Sequence, residues 1–198
     1  MLLANMTRRY LLKMINNNSA NMTTSFIDNY SFLARYNRWM NQRLYAACDK
    51  LTDAQRKADQ GAFFKSVHHT LTHLVLADKM WLVRFAGQRI EFAALKPALL
   101  SVPEGSDYTS DLHPDWTDLQ RTRDALDIAI EQWLADMQPE FLTSTMRYAN
   151  TKGVQRAHPA WQALTHFFNH QTHHRGQVTT LLMQAGVDVG VTDLIALV

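Results

Sequence analysis

The chain has 198 residues, enough for one domain with a sizeable core. Its 46% hydrophobic and 19% charged content excludes an intrinsically disordered chain. The net charge of +2 arises in residues 1–27, where Arg8, Arg9 and Lys13 meet no acid; the remainder lies within one charge of neutral, which leaves no electrostatic footprint for nucleic acid.

The basic, Asn-rich start "MLLANMTRRYLLKMINNNSANMTTS" has no continuous apolar region and no small-residue cleavage site, so it does not read as a secretory signal. Two readings remain, an amphipathic transit-like peptide and a poorly specified extension upstream of an alternative start at Met22. The second reading is preferred, which divides the chain into an extension, 1–27, and a folded domain, 28–198. No apolar run approaches the ~20 residues that span a bilayer. The single cysteine, Cys48, precludes an internal disulfide and a Cys-rich zinc module. A cytoplasmic location fits these features.

Four stretches carry helical periodicity. The first runs from about Asp28 to Cys48, with Tyr30, Leu33, Tyr36, Asn37, Met40, Leu44 and Ala47 at spacings of three and four. The second runs from about Phe63 to Ala86 and stops at Gly87. A long connection, 87–114, follows and is expected to hold little regular structure. The third helix spans about Asp115 to Met137, ahead of Pro139. "LTSTMRYANTKGVQRAHP" alternates around "NTKG" and predicts a short hairpin. The fourth helix starts near Pro159 and ends before Gly186. The tail "GVTDLIALV" suggests one more turn capped by Thr192 or Asp193. The expected fold is all-α, a four-helix bundle with a long connection between helices two and three and a hairpin-like segment before helix four.

Six of the nine histidines fall in two clusters, "VHHTLTHL" at 67–74 and "NHQTHHRGQ" at 169–177. Residues four apart share one face of a helix. On the fourth helix the wheel buries Leu164, Phe167, Val178, Leu181 and Leu182 and leaves His170 and His174 on the margin. On the second it buries Val67, Leu71, Leu74, Trp81 and Phe85, with His73 on the margin beside Ala77 and Met80. Two helices packed by those faces bring their histidine edges together. Paired histidines at this spacing chelate metals, and spacing alone leaves 166/170, 170/173, 170/174 and 69/73 open as pairs. A lone histidine on a helix margin is more often a surface or hydrogen-bonded core residue, and His68, His113, His158 and His166 are read that way.

"FFNHQTHHRGQVTTLLMQAGVDVGVTDL", "FFKSVHHTLTHLVLADKMWLVRF" and "LARYNRWMNQRLYAACDKL" together resemble the DinB family, the DNA-damage-inducible DinB/YfiT-like proteins, which are unrelated to the translesion polymerase of similar name. The resemblance covers roughly residues 28–198. It implies a four-helix bundle paired as a homodimer, and a divalent metal held by one histidine of helix two and two of helix four. Carried onto this chain, the ligands are His73, His170 and His174, and His69 and His173 become neighbours. Zinc is the first choice of metal and nickel the second.

Around these ligands, Gln177, Tyr36, Asn37, His69 and His173 are candidates for the pocket or for hydrogen bonds to the ligands. Arg175 is expected to pair with an acid such as Asp193. Gly176 is expected to admit a neighbouring helix. Asp78 is read as a structural partner, and Trp39 and Trp81 as packing residues.

Three histidines leave coordination positions free, which suits a metal-dependent enzyme that activates water or a thiolate to act on a small molecule; the resemblance implies a thiol-cofactor-dependent transferase with a low-molecular-weight thiol as cosubstrate, and a hydrolase also fits. No Glu adjoins the ligands as in H-E-x-x-H. The alternatives are a non-catalytic metal-binding stress-response protein and a dimeric interaction module. Neither nucleic acid nor membrane is an expected partner.

Overall fold

A computed structural model describes residues 26–88, 92–107 and 109–198 of the chain. The sequence-defined extension therefore lies outside the described residues, except for Phe26 and Ile27, which already belong to the first helix. The architecture is mostly helical with one two-stranded sheet. Helix α1 covers 26–48, α2 Asp53–Lys57, α3 Val67–Ala86, α4 Pro97–Leu100, α5 Trp116–Ala135, α6 Pro139–Thr143 and α7 Ala160–Gln184. Strands β1, Thr145–Ala149, and β2, Gln155–Pro159, precede α7, and a 3-10 turn, Leu194–Leu197, closes the chain. No helix among the described residues is long and apolar enough to cross a membrane.

Local chemistry explains the boundaries. The second long helix begins at Val67 rather than near Phe63, because Ser66, in extended conformation, caps it by accepting from His69 N–H. Phe63 and Phe64 thus sit in the preceding turn. Short α2 begins with a reciprocal capping box between Thr52 and Gln55 that periodicity does not reveal. Asp115 caps α5 through the N–H of Asp118. Pro139, expected to follow the third helix, occupies the first turn of α6, where its missing N–H costs nothing. The connection 87–114 holds the single helical turn of α4.

At the end of α7, Gly186 takes φ +78 while its N–H meets Met183 O and the N–H of Val187 meets Leu182 O. This is a Schellman closure, and its left-handed residue favours glycine. The hairpin pairs Thr145 with Pro159 through Ala149 with Gln155, as its alternation suggests. Its loop is closed by Asn150 Oδ1, which accepts from the N–H groups of Lys152 and Val154. In the tail Asp193 occupies the N-cap position of the 3-10 turn, but its side chain forms no cap bond.

Helix α3 packs against α5 and α7. Helix α1 joins α7 through Tyr30, whose hydroxyl bonds Trp161 O, and joins α5 through Asn37, Asn41 and Arg38. The core between these four long helices centres on Phe85, Trp133, Phe141 and Phe167, all at most 1% exposed. The apolar positions assigned on α7, Leu164, Phe167, Val178, Leu181 and Leu182, are all buried. On α3 the same holds for Val67, Leu71, Leu74 and Phe85, while Trp81 is half-buried.

Candidate metal centre

The packing of α3 on α7 brings three imidazoles together. His73 Nε2 lies 3.4 Å from His170 Nε2, and His170 Nε2 lies 3.1 Å from His174 Nε2. The ligand atoms of all three fall within 4.8 Å of one another. Two nitrogens each about 2.0–2.1 Å from one ion are separated by roughly 3.3–3.4 Å at a tetrahedral angle and about 3.0 Å at a right angle. The His73–His170 and His170–His174 separations match that range and the third pair stays within 4.8 Å, so the three side chains converge as a group that could hold one divalent ion.

Protonation favours ligation as well. Burial, together with the neighbouring His174 and His73 rings, pushes His170 from its ordinary 6.5 down to about 3. Burial also lowers His174. The Nδ1–H of His174 donates to Gln177 Oε1 at 2.7 Å, which leaves Nε2 as the lone-pair nitrogen aimed at the cluster. Gln177 Nε2–H in turn donates to His173 Nε2 at 3.3 Å. Gln177 therefore orients a ring of the cluster, and His173 stands one bond further out.

One wall of the site comes from a residue the sequence did not mark. The Phe64 ring stacks on His73 with centroids 4.0 Å apart and meets His174 edge-on at 5.5 Å. It is delivered by a tight turn in which Gln60 N–H bonds Lys65 O and Lys65 N–H bonds Ala62 O. In that turn Lys65 is the one described non-glycine residue with positive φ, at 66°. Such a conformation costs about 1–2 kcal/mol in an L-residue and persists where surrounding structure holds it. The signal for it is present in "GAFFKS", where Gly61 and the cap Ser66 bracket the two aromatics.

His73 opens onto a cavity of about 310 Å³ bounded by Phe64, Lys65, His69 and, from the long connection, Thr109 and Ser110. His69 thus borders the cavity, held by Ser66 Oγ at 2.7 Å and facing Asp111 at 3.7 Å, outside the three-histidine cluster. His166 continues the stripe on α7, 5.7 Å from the His170 ring, and packs on Trp81. His68 is fully buried and donates to His113 O; His113 pairs with Asp118, and His158 bonds the Tyr148 hydroxyl.

Tyr36 and Asn37, candidates for the pocket, lie elsewhere. Tyr36 bonds Thr192 O, and Asn37 belongs to a buried polar network that sequence reading did not find. In it Arg123 pairs with Asp78 and Asp127, Asn37 and Asn41 donate to Asp127, Gln171 donates to Asp78, and Arg175 donates to Asn37 Oδ1. All of these side chains are at most 4% exposed. The expected Arg175–Asp193 pair does not form: Arg175 turns inward, stacks on Tyr36 and is lowered to about 10 by burial. Gly176 admits no neighbouring helix, since a Cβ there meets nothing within 4 Å. Gln171 and Arg175 each directly follow a cluster histidine, so α7 presents metal-type ligands on one edge and the polar network one position further round.

The DinB family model matches residues 14–197. The chain belongs to the DinB family. Among curated proteins it is similar to Protein DinB of Bacillus subtilis (strain 168), 27% identical over 164 residues that cover 81% of this chain and 88% of that one. Among solved structures it is similar to a DinB-like protein from Bacillus cereus ATCC 10987, with a TM-score of 0.55 and 22% identity over 84% of this chain and 94% of that one. In this DinB-family chain the three histidines named from the resemblance are the three that converge.

Proposed function

We propose that this DinB-family protein binds one divalent ion through the Nε2 atoms of His73, His170 and His174, with zinc the first choice and nickel the second. The observation carrying the proposal is the convergence of three imidazole nitrogens at chelating separations. An ion in this position supplies Lewis acidity, which lowers the pKa of a bound water or thiol. The protein's own residues do the rest. Gln177 fixes the His174 tautomer, Phe64 holds the His73 ring and shields one side from water, and Thr109 and Ser110 close the cavity on the other.

The cavity beside His73 favours an enzyme over a helix staple. So does the absence of a fourth histidine, cysteine or carboxylate from the cluster among the described residues. The proposed activity is that of a metal-dependent transferase acting on a small molecule with a low-molecular-weight thiol as cosubstrate, or of a hydrolase using water. We further propose a four-helix bundle formed by α1, α3, α5 and α7, a homodimeric assembly and a cytoplasmic location. The exposed neighbours Phe26 and Trp161, with ring centroids 6.5 Å apart, support an intermolecular contact.

Elemental analysis of untagged protein purified without nickel resin tests the metal site. About one ion per chain is expected in the wild type, with loss of that ion in a folded His174→Ala variant. Unchanged metal content in the variant overturns the ligand assignment.

A further inference from the structure

Away from the histidines, α3 borders a larger cavity of about 640 Å³. Its walls are apolar: Val83 from α3, Leu95, Pro97 and Leu100 around α4, and Val102 from the connection beyond. A smaller cavity of about 340 Å³ adjoins it, bordered by Trp81, Tyr148, Asn150 and Arg156. Arg84 borders both. Among the described residues no acidic side chain lines either one. Arg84 lies eleven residues along α3 from His73, about 16 Å along the helix axis, while the far end of the smaller cavity reaches Ala77 and His166.

Arg84 is held as a preformed cation. Its guanidinium stands 4.7 Å from the Trp81 ring and 5.0 Å from the Tyr148 ring. Ring faces attract a guanidinium and fix its plane, but they leave its N–H donors unused. No ion pair joins Arg84 to a carboxylate among the described residues, although half-buried Arg38 and buried Arg123 both have such partners. Burial lowers the guanidinium below its ordinary value, with Tyr148 opposing the shift. Arg156 adds a second positive charge to the same side, and Asn150 adds amide donors.

We propose that these paired cavities form a ligand site, separate from the histidine centre, for an amphiphilic organic anion. The apolar body occupies the larger cavity, and the oxyanion, a carboxylate or a phosphate, forms a forked hydrogen bond with Arg84. A cavity of this size holds a drug-sized molecule, and one charge-assisted pair sets the orientation of an otherwise apolar ligand. The oxyanion, rather than a neutral polar group, is specified because the Arg84 donors are cationic and, among the described residues, no lining carboxylate competes for them.

The test uses the full-length protein and two fluorescent probes of similar shape, anionic anilinonaphthalenesulfonate and neutral N-phenylnaphthylamine. Both should bind the wild type with native circular dichroism intact. Arg84→Gln should weaken the anionic probe by about tenfold or more and change the neutral probe little. Val83→Glu, at a position 50% exposed and therefore compatible with folding, places a carboxylate at the cavity and should weaken the anionic probe selectively as well. Octanoate and octyl phosphate, as competitors, separate the carboxylate from the phosphate source, and displacement by either supports the site. The proposal is overturned if neither variant discriminates between the probes, if inorganic phosphate competes as well as octanoate, or if His170→Ala abolishes binding of the anionic probe.

Discussion

A histidine that must be neutral to bind a metal gains from being buried before the metal arrives. In the metal-free protein His170 is pushed down to about 3, because burial and the adjacent His174 and His73 rings disfavour its charged form. Above the unfolded value of about 6.5, the folded and unfolded states are both neutral there and the residue contributes no pH dependence. As the pH falls below 6.5, the unfolded chain takes up a proton that the folded chain refuses until about pH 3, so stability declines through that window. His68, His166 and His174 shift in the same direction through burial, so the contribution of His170 is isolated by comparison with His170→Asn. Metal-free wild type should lose more stability than that variant between pH 7 and pH 5, by at most about 2 kcal/mol, less what solvent screening removes. Urea unfolding of both proteins at the two pH values measures it, and equal losses would show that His170 titrates normally.

At the scale of elements, the helices are joined by two different kinds of contact. Apolar faces supply the drive to pack, and the buried network of Asp78, Asp127, Arg123, Arg175, Asn37, Asn41 and Gln171 ties α1, α3, α5 and α7 at one level. Its two carboxylates and two guanidiniums balance in charge. Burial raises both carboxyls, while Arg123 pulls them down. Removing one member leaves its partner charged and unpaired inside the protein. Asp78→Ala should therefore cost about 3–5 kcal/mol in chemical denaturation, and a loss below 1 kcal/mol would show that the network is not coupled as drawn. A specificity role is expected: these ion pairs and hydrogen bonds form together in one mutual register of the four helices, even with Arg123 Nε and Gln171 Oε1 left without a partner, whereas apolar surfaces tolerate several. Gly176 behaves in the opposite way. It lies exposed within α7 with open space where a Cβ would be, so Gly176→Ala should stabilise the protein by about 1 kcal/mol. A destabilised variant in thermal melting would mean that this face is covered in solution.

Two of the cavities lie at different levels of α3, the one of about 310 Å³ beside the three histidines and the one of about 640 Å³ bounded by the connection after α4. The long connection contributes to both, through Thr109 and Ser110 in one and Leu100 and Val102 in the other. That is a physical reason for its length, since a short link between α3 and α5 could not wall either cavity. The proposed homodimer belongs to this scale. Light scattering should give twice the chain mass of 22.8 kDa at micromolar concentration, and a particle of 22.8 kDa across that range would refute the dimer.

Periodicity and the glycine that stops a helix were legible in the residues alone, whereas the caps at Thr52 and Ser66 were not. The apolar rows of α3 and α7 repeat every three to four residues, and that repeat placed His73, His170 and His174 on packing margins. The turn residues around "NTKG" marked the hairpin, and Gly186 marked the end of α7. Choosing His73, His170 and His174 from several spaced pairs required the family resemblance, because spacing on one helix cannot say which facing histidine it meets. Only the tertiary structure decided the rest. Arg175 turned inward to Asn37 rather than outward to Asp193, Phe64 left the helix to stack on His73, and Arg84 came to rest between two rings at a cavity boundary. Each is a contact between side chains distant in sequence or a turn held by backbone bonds. Its energy depends on which surfaces pack together, and a one-dimensional pattern of residue types does not contain that information.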